Sequence, residues 1–189
     1  MEQQMTLGPA LQAFTSVLSA LEVTAGDGQP RGLDALVSML SRARGDDAQC
    51  FLIGNGGSAA VCSHIQNDLV NKLRWRAHVL HEPSVMTCMS NDYGYPAAFA
   101  SMVGRMGRRG DLLVAISSSG RSANMLAAVE AARTCGMQVL TLTGFGADNP
   151  LRATGDLNLW LPSSDYGEVE IGHLFVLHRL VDWMLGPSA

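Results

Sequence analysis

The sequence predicts a doubly wound α/β domain preceded by a pair of helices. After the first 45 residues, short apolar runs alternate with helical stretches, and two of these runs, 112–116 and 139–143, carry no charged residue. Strands without polar alternation are buried on both faces, which is the situation of a parallel sheet covered by helices. Alternating strands and helices wind such a sheet through right-handed crossovers.

The first 45 residues have the spacing of two amphipathic helices, with apolar side chains recurring every three or four positions. The two apolar sets are Leu11, Phe14, Leu18 and Leu21, then Leu33, Leu36, Val37 and Leu40. Between them, the glycine- and proline-containing run 26–30 breaks the pattern. Each apolar stripe must be buried, either against the core or against another subunit.

Five apolar runs predict the strands, and four stretches between or after them predict helices. We expect the strands at 50–53, 77–80, 112–116, 139–143 and 157–161, and the helices at 59–73, 97–107, 121–135 and 169–185. No internal repeat or linker divides the chain. We therefore expect one domain over 1–189, with a helical pair at 1–45 and an α/β core at 50–185.

The composition excludes several classes of protein. With 189 residues, 47% hydrophobic and 16% charged, the chain has the make-up of a globular protein rather than a disordered one. Its formal net charge of −4 argues against general nucleic-acid binding, which needs clustered basic residues. No apolar run approaches the roughly 20 residues that span a bilayer, and no signal peptide is recognisable, so we expect a soluble cytoplasmic protein. The four cysteines are scattered, which favours free thiols.

Two glycine- and serine-rich turns, each between a predicted strand and a predicted helix, carry the strongest functional signal. The first is Gly54-Asn55-Gly56-Gly57-Ser58 and the second is Ser117-Ser118-Ser119-Gly120-Arg121-Ser122. Glycines let the backbone approach a ligand closely, and hydroxyls around a helix N-terminus suit a phosphate monoester. Neither turn is a Walker A loop or a dinucleotide fingerprint. One such turn needs no ligand, but two favour a small phosphorylated molecule such as a sugar phosphate.

These turns resemble those of the sugar isomerase (SIS) domain superfamily and, within it, the phosphoheptose isomerase family. The resemblance also rests on Ser90-Asn91-Asp92-Tyr93-Gly94 and on 140–144, and it runs from about Phe51 to Leu185. It implies a five-stranded flavodoxin-like sheet. It further implies an aldose–ketose isomerase that converts sedoheptulose 7-phosphate to D-glycero-D-manno-heptose 7-phosphate, in a homotetramer whose active sites lie at subunit interfaces.

The resemblance implies a set of site residues as well. Substrate contacts would come from Asn55, Gly56, Gly57, Ser58, Lys72, Asn91, Asp92, Ser117, Ser118, Ser119, Ser122 and Glu170. A zinc ion, one per subunit, or another divalent metal would be held by His64, Asp68, Glu170 and His178. The catalytic acid–base pair would be Asp68 and His178.

Departures from the family pattern affect these roles. Asp68 stands where the family has Glu, which shortens the arm by about 1.3–1.5 Å, a large change for proton transfer. Glu170 stands where the family has Gln, and it is followed by Ile171 where the family often has Glu. The added negative charge should strengthen metal retention. Glu168 lies close by and leaves the choice of ligand open.

The spacing of these residues fits shared helix faces. His64 and Asp68 are four residues apart, and Glu170 and His178 are eight apart, about two turns. Two histidines and two carboxylates are an acceptable ligand set for zinc and for harder ions such as Mn²⁺. A single histidine on an apolar helix, such as His178, is nevertheless most often a hydrogen-bonded core residue.

Two other functions stay open at this point. One is isomerisation of a different ketose phosphate, for example an octulose phosphate in antibiotic biosynthesis. The other is a non-catalytic SIS protein that binds phosphosugars or a partner protein. An acid at position 68 together with His178 favours an enzyme.

Overall fold

A computed structural model describes residues 6–45 and 47–186 of the chain. Its strands are β1 Glu22–Ala25, β2 Pro30–Arg31, β3 Gln49–Gly54, β4 Arg76–Val79, β5 Leu112–Ser117, β6 Gln138–Thr143 and β7 Leu157–Trp160. Its α-helices are α1 Gly8–Ser19, α2 Leu33–Ala43, α3 Gly57–Asn71, α4 Pro83–Tyr93, α5 Tyr95–Met106, α6 Ala123–Thr134 and α7 Tyr166–Leu185. A short 3₁₀ helix follows β6 at Pro150–Ala153.

The five predicted parallel strands are confirmed as β3 to β7. They pair in the order β7-β6-β5-β3-β4 within one sheet, and every pairing among them is parallel. This is the flavodoxin-like order, in which the first strand of the motif lies between the second and the third. The strongest sequence signal belonged to β5, and all six of its residues are buried.

The sheet has seven strands rather than five, because part of the segment predicted as a helical pair is a hairpin. The first helix ends at Ser19, and β1 and β2 form an antiparallel hairpin that adds to the sheet beside β7. Gly28 in the hairpin turn has a φ of 80°, which glycine adopts at little cost. Strands of four and two residues are too short for their periodicity to be told from that of a helix.

Helix α4 was not predicted from the sequence. None of its residues is buried, so it has no apolar stripe of the kind that signals an amphipathic helix. Its start is instead marked by Pro83 at the first position and by Glu82, whose carboxylate accepts a hydrogen bond from the backbone N–H of Val85 at 3.0 Å.

Alternate residues of the central strands point into two cores, one on each face of the sheet. Leu52, Val114 and Leu140 pack on the face covered by α2, α3 and α7. Phe51, Leu113 and Val139 pack on the face covered by α5 and α6. Because α3 and α6 follow the neighbouring strands β3 and β5 on opposite faces, a crevice lies between them at the carboxyl edge of the sheet.

Among residues 6–45 and 47–186, no helix is both long and apolar enough to cross a membrane. Two of the four cysteines, Cys50 and Cys62, are fully buried in the core, and desolvation raises the pKa of both thiols. Thiols in such surroundings are poor nucleophiles.

His173 joins α7 to the sheet. The side chain is fully buried, its Nε2 lies 3.1 Å from the backbone oxygen of Thr143, and desolvation lowers its pKa to about 4. The ring is therefore neutral in the folded protein near pH 7 and donates a hydrogen bond from Nε2.

Because of His173, the free energy of unfolding should decrease as the pH is lowered. Since the folded pKa of about 4 lies below the ordinary value of 6.5, the unfolded chain binds the proton first, and stability present above pH 6.5 is lost progressively towards pH 4. By pH 5 the loss amounts to about 2 kcal/mol. The free energy of unfolding, measured with urea at pH 7 and at pH 5, should decrease less in His173→Gln than in the parent protein. The difference between the two losses should be about 2 kcal/mol. The control His78→Gln, at an exposed histidine, should behave as the parent; equal losses in parent and His173→Gln would contradict this account.

Candidate active site

The first glycine turn connects β3 to α3 at the carboxyl edge of the sheet. Gly54 must be glycine, because a Cβ there would lie 2.7 Å from the backbone carbon of Ser58. Gly56 has a φ of 55°, again a conformation that favours glycine. No side chain caps the start of α3. The turn thus exposes backbone to the crevice, as the sequence indicated.

The second turn connects β5 to α6 and contains a buried hydroxyl that no described residue engages. The Oγ of Ser118 is buried and has no hydrogen-bond partner among the described residues. Ser122 stands at the N-cap of α6 but makes no capping bond. A buried hydroxyl without a partner costs free energy, and a ligand oxygen would remove that cost. This turn therefore has the donors and the helix N-terminus that a phosphate group needs.

An amide pair links the two turns. Asn55 and Asn124 exchange two hydrogen bonds of 3.0 and 2.9 Å between their side-chain amides, and Asn124 is buried. The hydroxyl of Tyr95, at the start of α5, donates a further bond of 2.6 Å to the Oδ1 of Asn55. With Oδ1 occupied twice, Asn55 retains one N–H for a ligand.

An acid–histidine cluster lies further along α3. Asp68 is 5% exposed, and its Oδ2 accepts a hydrogen bond from Nζ of Lys72 at 3.1 Å and lies 2.9 Å from Nδ1 of His178. The ring of His64 packs edge-on against that of His178, with centroids 4.8 Å apart. The shorter Asp side chain thus still reaches the histidine on α7.

The two glutamates near the start of α7 differ in their contacts. Glu168 accepts a 2.5 Å hydrogen bond from the Ser163 hydroxyl, and its backbone N–H is capped by Asp165. The carboxylate of Glu170 instead lies directly against Gly57, where any side chain would collide with it. Glu170 therefore lies at the carboxyl edge of the sheet, beside the first residue of α3.

The predicted metal ligands are brought together only in part. One nitrogen or oxygen from each of His64, Asp68 and His178 lies within 4.8 Å of the others. Glu170 is outside this group, and its role as a ligand stays a prediction. The three side chains fit a divalent cation, since they offer two imidazole nitrogens and a carboxylate oxygen within reach of one point.

Asn91 and Asp92 lie on the last turn of α4 and are exposed. Asn91 donates a 3.0 Å hydrogen bond to Asp92, and no hydrogen bond joins either of them to the two turns among the described residues. Tyr95, which does reach Asn55, lies three residues after Asp92 and four after Asn91.

Flavodoxin-like sheets bind their ligands in the crevice at the carboxyl edge, where the helices leave on opposite faces. The hydroxyl-rich turn at this place is typical of proteins that bind small phosphorylated molecules. A family model described as the SIS domain matches residues 12–144. The phosphoheptose isomerase of Aeromonas hydrophila is 32% identical over 89% of this chain and 91% of its own length. That of Roseiflexus is 40% identical over 68% of each chain.

A solved structure agrees with these relatives. The structure of the phosphoheptose isomerase from Neisseria gonorrhoeae superposes on this chain with a TM-score of 0.77 and a sequence identity of 29%. The superposition covers 93% of this chain and 91% of the other. The chain belongs to the SIS domain family, in its phosphoheptose isomerase branch.

Sequence reasoning missed Tyr95 and Asn124 as parts of the site. Asn124 stands two residues after the second turn, at the start of the helix that follows β5. This position could have indicated from the sequence that Asn124 lies close to the site. Tyr95 gave no such signal, because its contact with Asn55 depends on how α5 packs beside the first turn.

Tyr95 should act as a positioning residue that holds the Asn55 amide. Tyr95→Phe removes one hydrogen bond, so we expect the KM for a sugar-phosphate substrate to rise about fivefold while kcat changes less than about twofold. Steady-state kinetics measure this split. Tyr166→Phe is the matched control, since Tyr166 is 59% exposed and packs on Phe145 outside the amide network. Equal KM values in both variants and the parent would rule out the positioning role.

Proposed function

We propose that this chain is an aldose–ketose isomerase that interconverts sedoheptulose 7-phosphate and D-glycero-D-manno-heptose 7-phosphate. The observation that carries the proposal is the direct contact between Asp68 and His178, which is accompanied by a buried Ser118 hydroxyl without a hydrogen-bond partner among the described residues. The names of the relatives support the activity and the substrate class.

The phosphate group is assigned to the second turn. Ser117, Ser118, Ser119 and Ser122 surround the N-terminus of α6, whose positive dipole end favours an anion. Asn55, Gly56 and Ser58 of the first turn, with Asn91 and Asp92, are assigned to the sugar hydroxyls. His64 stands six residues after Ser58, about 9 Å along the helix axis, which leaves room for an extended carbon chain between the two ends of the site.

Isomerisation moves one proton between two neighbouring carbons and one between their oxygens, and it leaves the overall oxidation state of the sugar unchanged. A base removes the proton from the carbon next to the carbonyl while the carbonyl oxygen gains a proton, which gives an enediol. An acid then returns a proton to the former carbonyl carbon while the neighbouring hydroxyl loses its proton to become the new carbonyl. Oδ2 of Asp68 is already in contact with both Lys72 and His178, which leaves Oδ1 for the substrate. His178 uses Nδ1 for Asp68 and therefore has Nε2 available, so the two groups divide the transfer between them.

His64, Asp68 and His178, with Glu170 as a fourth ligand, would hold one zinc or another divalent ion per subunit. Such an ion stabilises negative charge on enediolate oxygens when it is bound. Lys72 places a cation 3.1 Å from Asp68 in any case, so the negative charge of this carboxylate is partly balanced by the protein itself.

Asp68→Asn tests the acid–base assignment. The substitution keeps the size of the side chain but removes its basicity, so we expect kcat to fall by about 10²- to 10⁴-fold. Asp68→Glu, which restores the longer side chain of the family, should keep turnover within about tenfold of the parent. The assay follows the aldoheptose product by NMR after addition of sedoheptulose 7-phosphate.

Asp34→Asn serves as the control, because Asp34 is exposed on α2 and far from the crevice in the fold. Thermal unfolding of each variant separates loss of the fold from loss of chemistry. Unchanged turnover in Asp68→Asn would refute the assignment. A screen of ketose phosphates with six to eight carbons identifies the preferred chain length.

The metal assignment predicts a difference between the two neighbouring glutamates. Two carboxylates neutralise a dication, so Glu170→Gln should lower metal retention during dialysis against a chelator by about tenfold. Glu168→Gln should retain metal as the parent does, because its carboxylate is engaged with Ser163. Elemental analysis of the purified proteins measures the metal content. Absence of a divalent ion from the parent, or equal losses in both variants, would contradict the assignment.

We propose a homotetramer whose active sites lie at subunit interfaces, formed in the cytoplasm by a chain that is a single SIS domain over residues 1–189. Supporting this, an apolar groove of about 510 Å³ lies between α1 and the start of α7. Leu11 is 60% exposed and Ile171 is 58% exposed along it. No residue of α1 is buried by the described part of the chain, so an amphipathic helix here needs another subunit to cover it.

A further inference from the structure

A cavity of about 460 Å³ opens at the amino edge of the sheet, opposite the active site. Gln49, the first residue of β3, and Asp111, immediately before β5, both line it. The active-site turns follow the other ends of these two six-residue strands, about 20 Å away. The cavity is therefore separate from the catalytic crevice, and its volume lies in the usual range for small-molecule sites.

Four arginines line this cavity, although the chain has only 13 basic residues. Arg42 comes from the last turn of α2, Arg76 from the start of β4, and Arg108 and Arg109 from the turn before β5. Arginine keeps its charge at any physiological pH. Four cations from three separate elements therefore surround one concave surface in a protein of net charge −4.

Among the described residues, two carboxylates, those of Asp47 and Asp111, line the cavity beside the four arginines. Asp111 is 4% exposed, and both of its carboxylate oxygens accept backbone N–H groups, from Gln49 at 2.7 Å and Arg108 at 2.8 Å. Asp47 pairs with Arg76 at 3.2 Å. Within residues 6–45 and 47–186, the guanidinium groups of Arg42, Arg108 and Arg109 have no hydrogen-bond partner.

The backbone of the turn holds two of the arginines side by side. The backbone N–H of Asp111 donates a 3.1 Å hydrogen bond to the backbone oxygen of Arg108. Gly110 has a φ of 93°, a conformation that glycine adopts readily and other residues rarely do. The buried Asp111 carboxylate fixes the same turn to the start of β3. The positions of Arg108 and Arg109 are thus set by the fold, before any ligand arrives.

We propose that this cavity binds a small polyanion with two or more adjacent phosphoryl groups, either a nucleoside di- or triphosphate or an inorganic polyphosphate. Each guanidinium group can hold a phosphate through two parallel hydrogen bonds, and three such groups on two elements suit more than one phosphoryl group. A concave site of this size fits a compact ligand, so an inorganic polyphosphate bound here would be a short chain such as tripolyphosphate. The site does not rest on the proposed isomerase activity.

Isothermal titration calorimetry with tripolyphosphate, ATP and inorganic phosphate, each without magnesium, tests the proposal. Tripolyphosphate should bind saturably and at least about tenfold more tightly than inorganic phosphate, with an affinity that falls between 50 and 200 mM salt. ATP binding more tightly than tripolyphosphate would identify a nucleotide ligand. The opposite order would identify an inorganic polyphosphate.

Matched variants locate the binding. Arg42→Gln and Arg109→Gln should each weaken tripolyphosphate binding at least about fivefold, since each loses a bidentate donor. Arg44→Gln removes the same charge from an exposed residue beside the cavity but outside its lining, and should change affinity less than about twofold. Ser119→Ala, in the active-site turn, should leave this binding intact. Absence of saturable binding, equal effects in Arg42→Gln and Arg44→Gln, or loss of binding in Ser119→Ala would overturn the proposal.

Discussion

The parallel pairing of β3 with β5 is the constraint on which the candidate active site depends. Gly54 lies opposite Ile116 in this pairing, so the two turns that follow these strands begin side by side. Their helices then leave on opposite faces of the sheet, which opens the crevice between them. The Asn55–Asn124 amide pair joins the turns at that point and fixes their separation. A change in the register of β3 against β5 would therefore displace both halves of the site at once.

Helix α3 runs from the first glycine turn to the cluster of Asp68 with His64 and His178. It begins at the first turn and carries His64 and Asp68 on one face, and Asp68 meets His178 where α3 packs against α7. That packing rests on buried apolar residues such as Ile65 and Leu177, which belong to the same core. The contact between Asp68 and His178 is thus positioned by core packing, so substitutions in this core should disturb that contact as well as the stability.

Sequence patterns predicted the strands that are buried on both faces. They failed for elements that form only because of contacts with distant parts of the chain. β5 and β6 were clear because both faces are covered, whereas β1 exists only because it pairs with β7. The spacing of His64 and Asp68 on one helix could be read directly. Their meeting with His178 came from the family resemblance, since no local pattern relates residues on two helices. The different contacts of Glu168 and Glu170 also depend on how α7 packs, which the sequence alone left open.

The position of Glu170 offers a physical reason for the phosphate to bind at the second turn rather than the first. Both turns end at a helix N-terminus without a side-chain cap, so both could attract an anion. At α3, however, the Glu170 carboxylate already lies against Gly57. A phosphate dianion there would meet like charge, whereas the α6 turn presents the unpartnered Ser118 hydroxyl. The Glu170 carboxylate thus makes the N-terminus of α3 the less favourable of the two helix ends for a phosphate group.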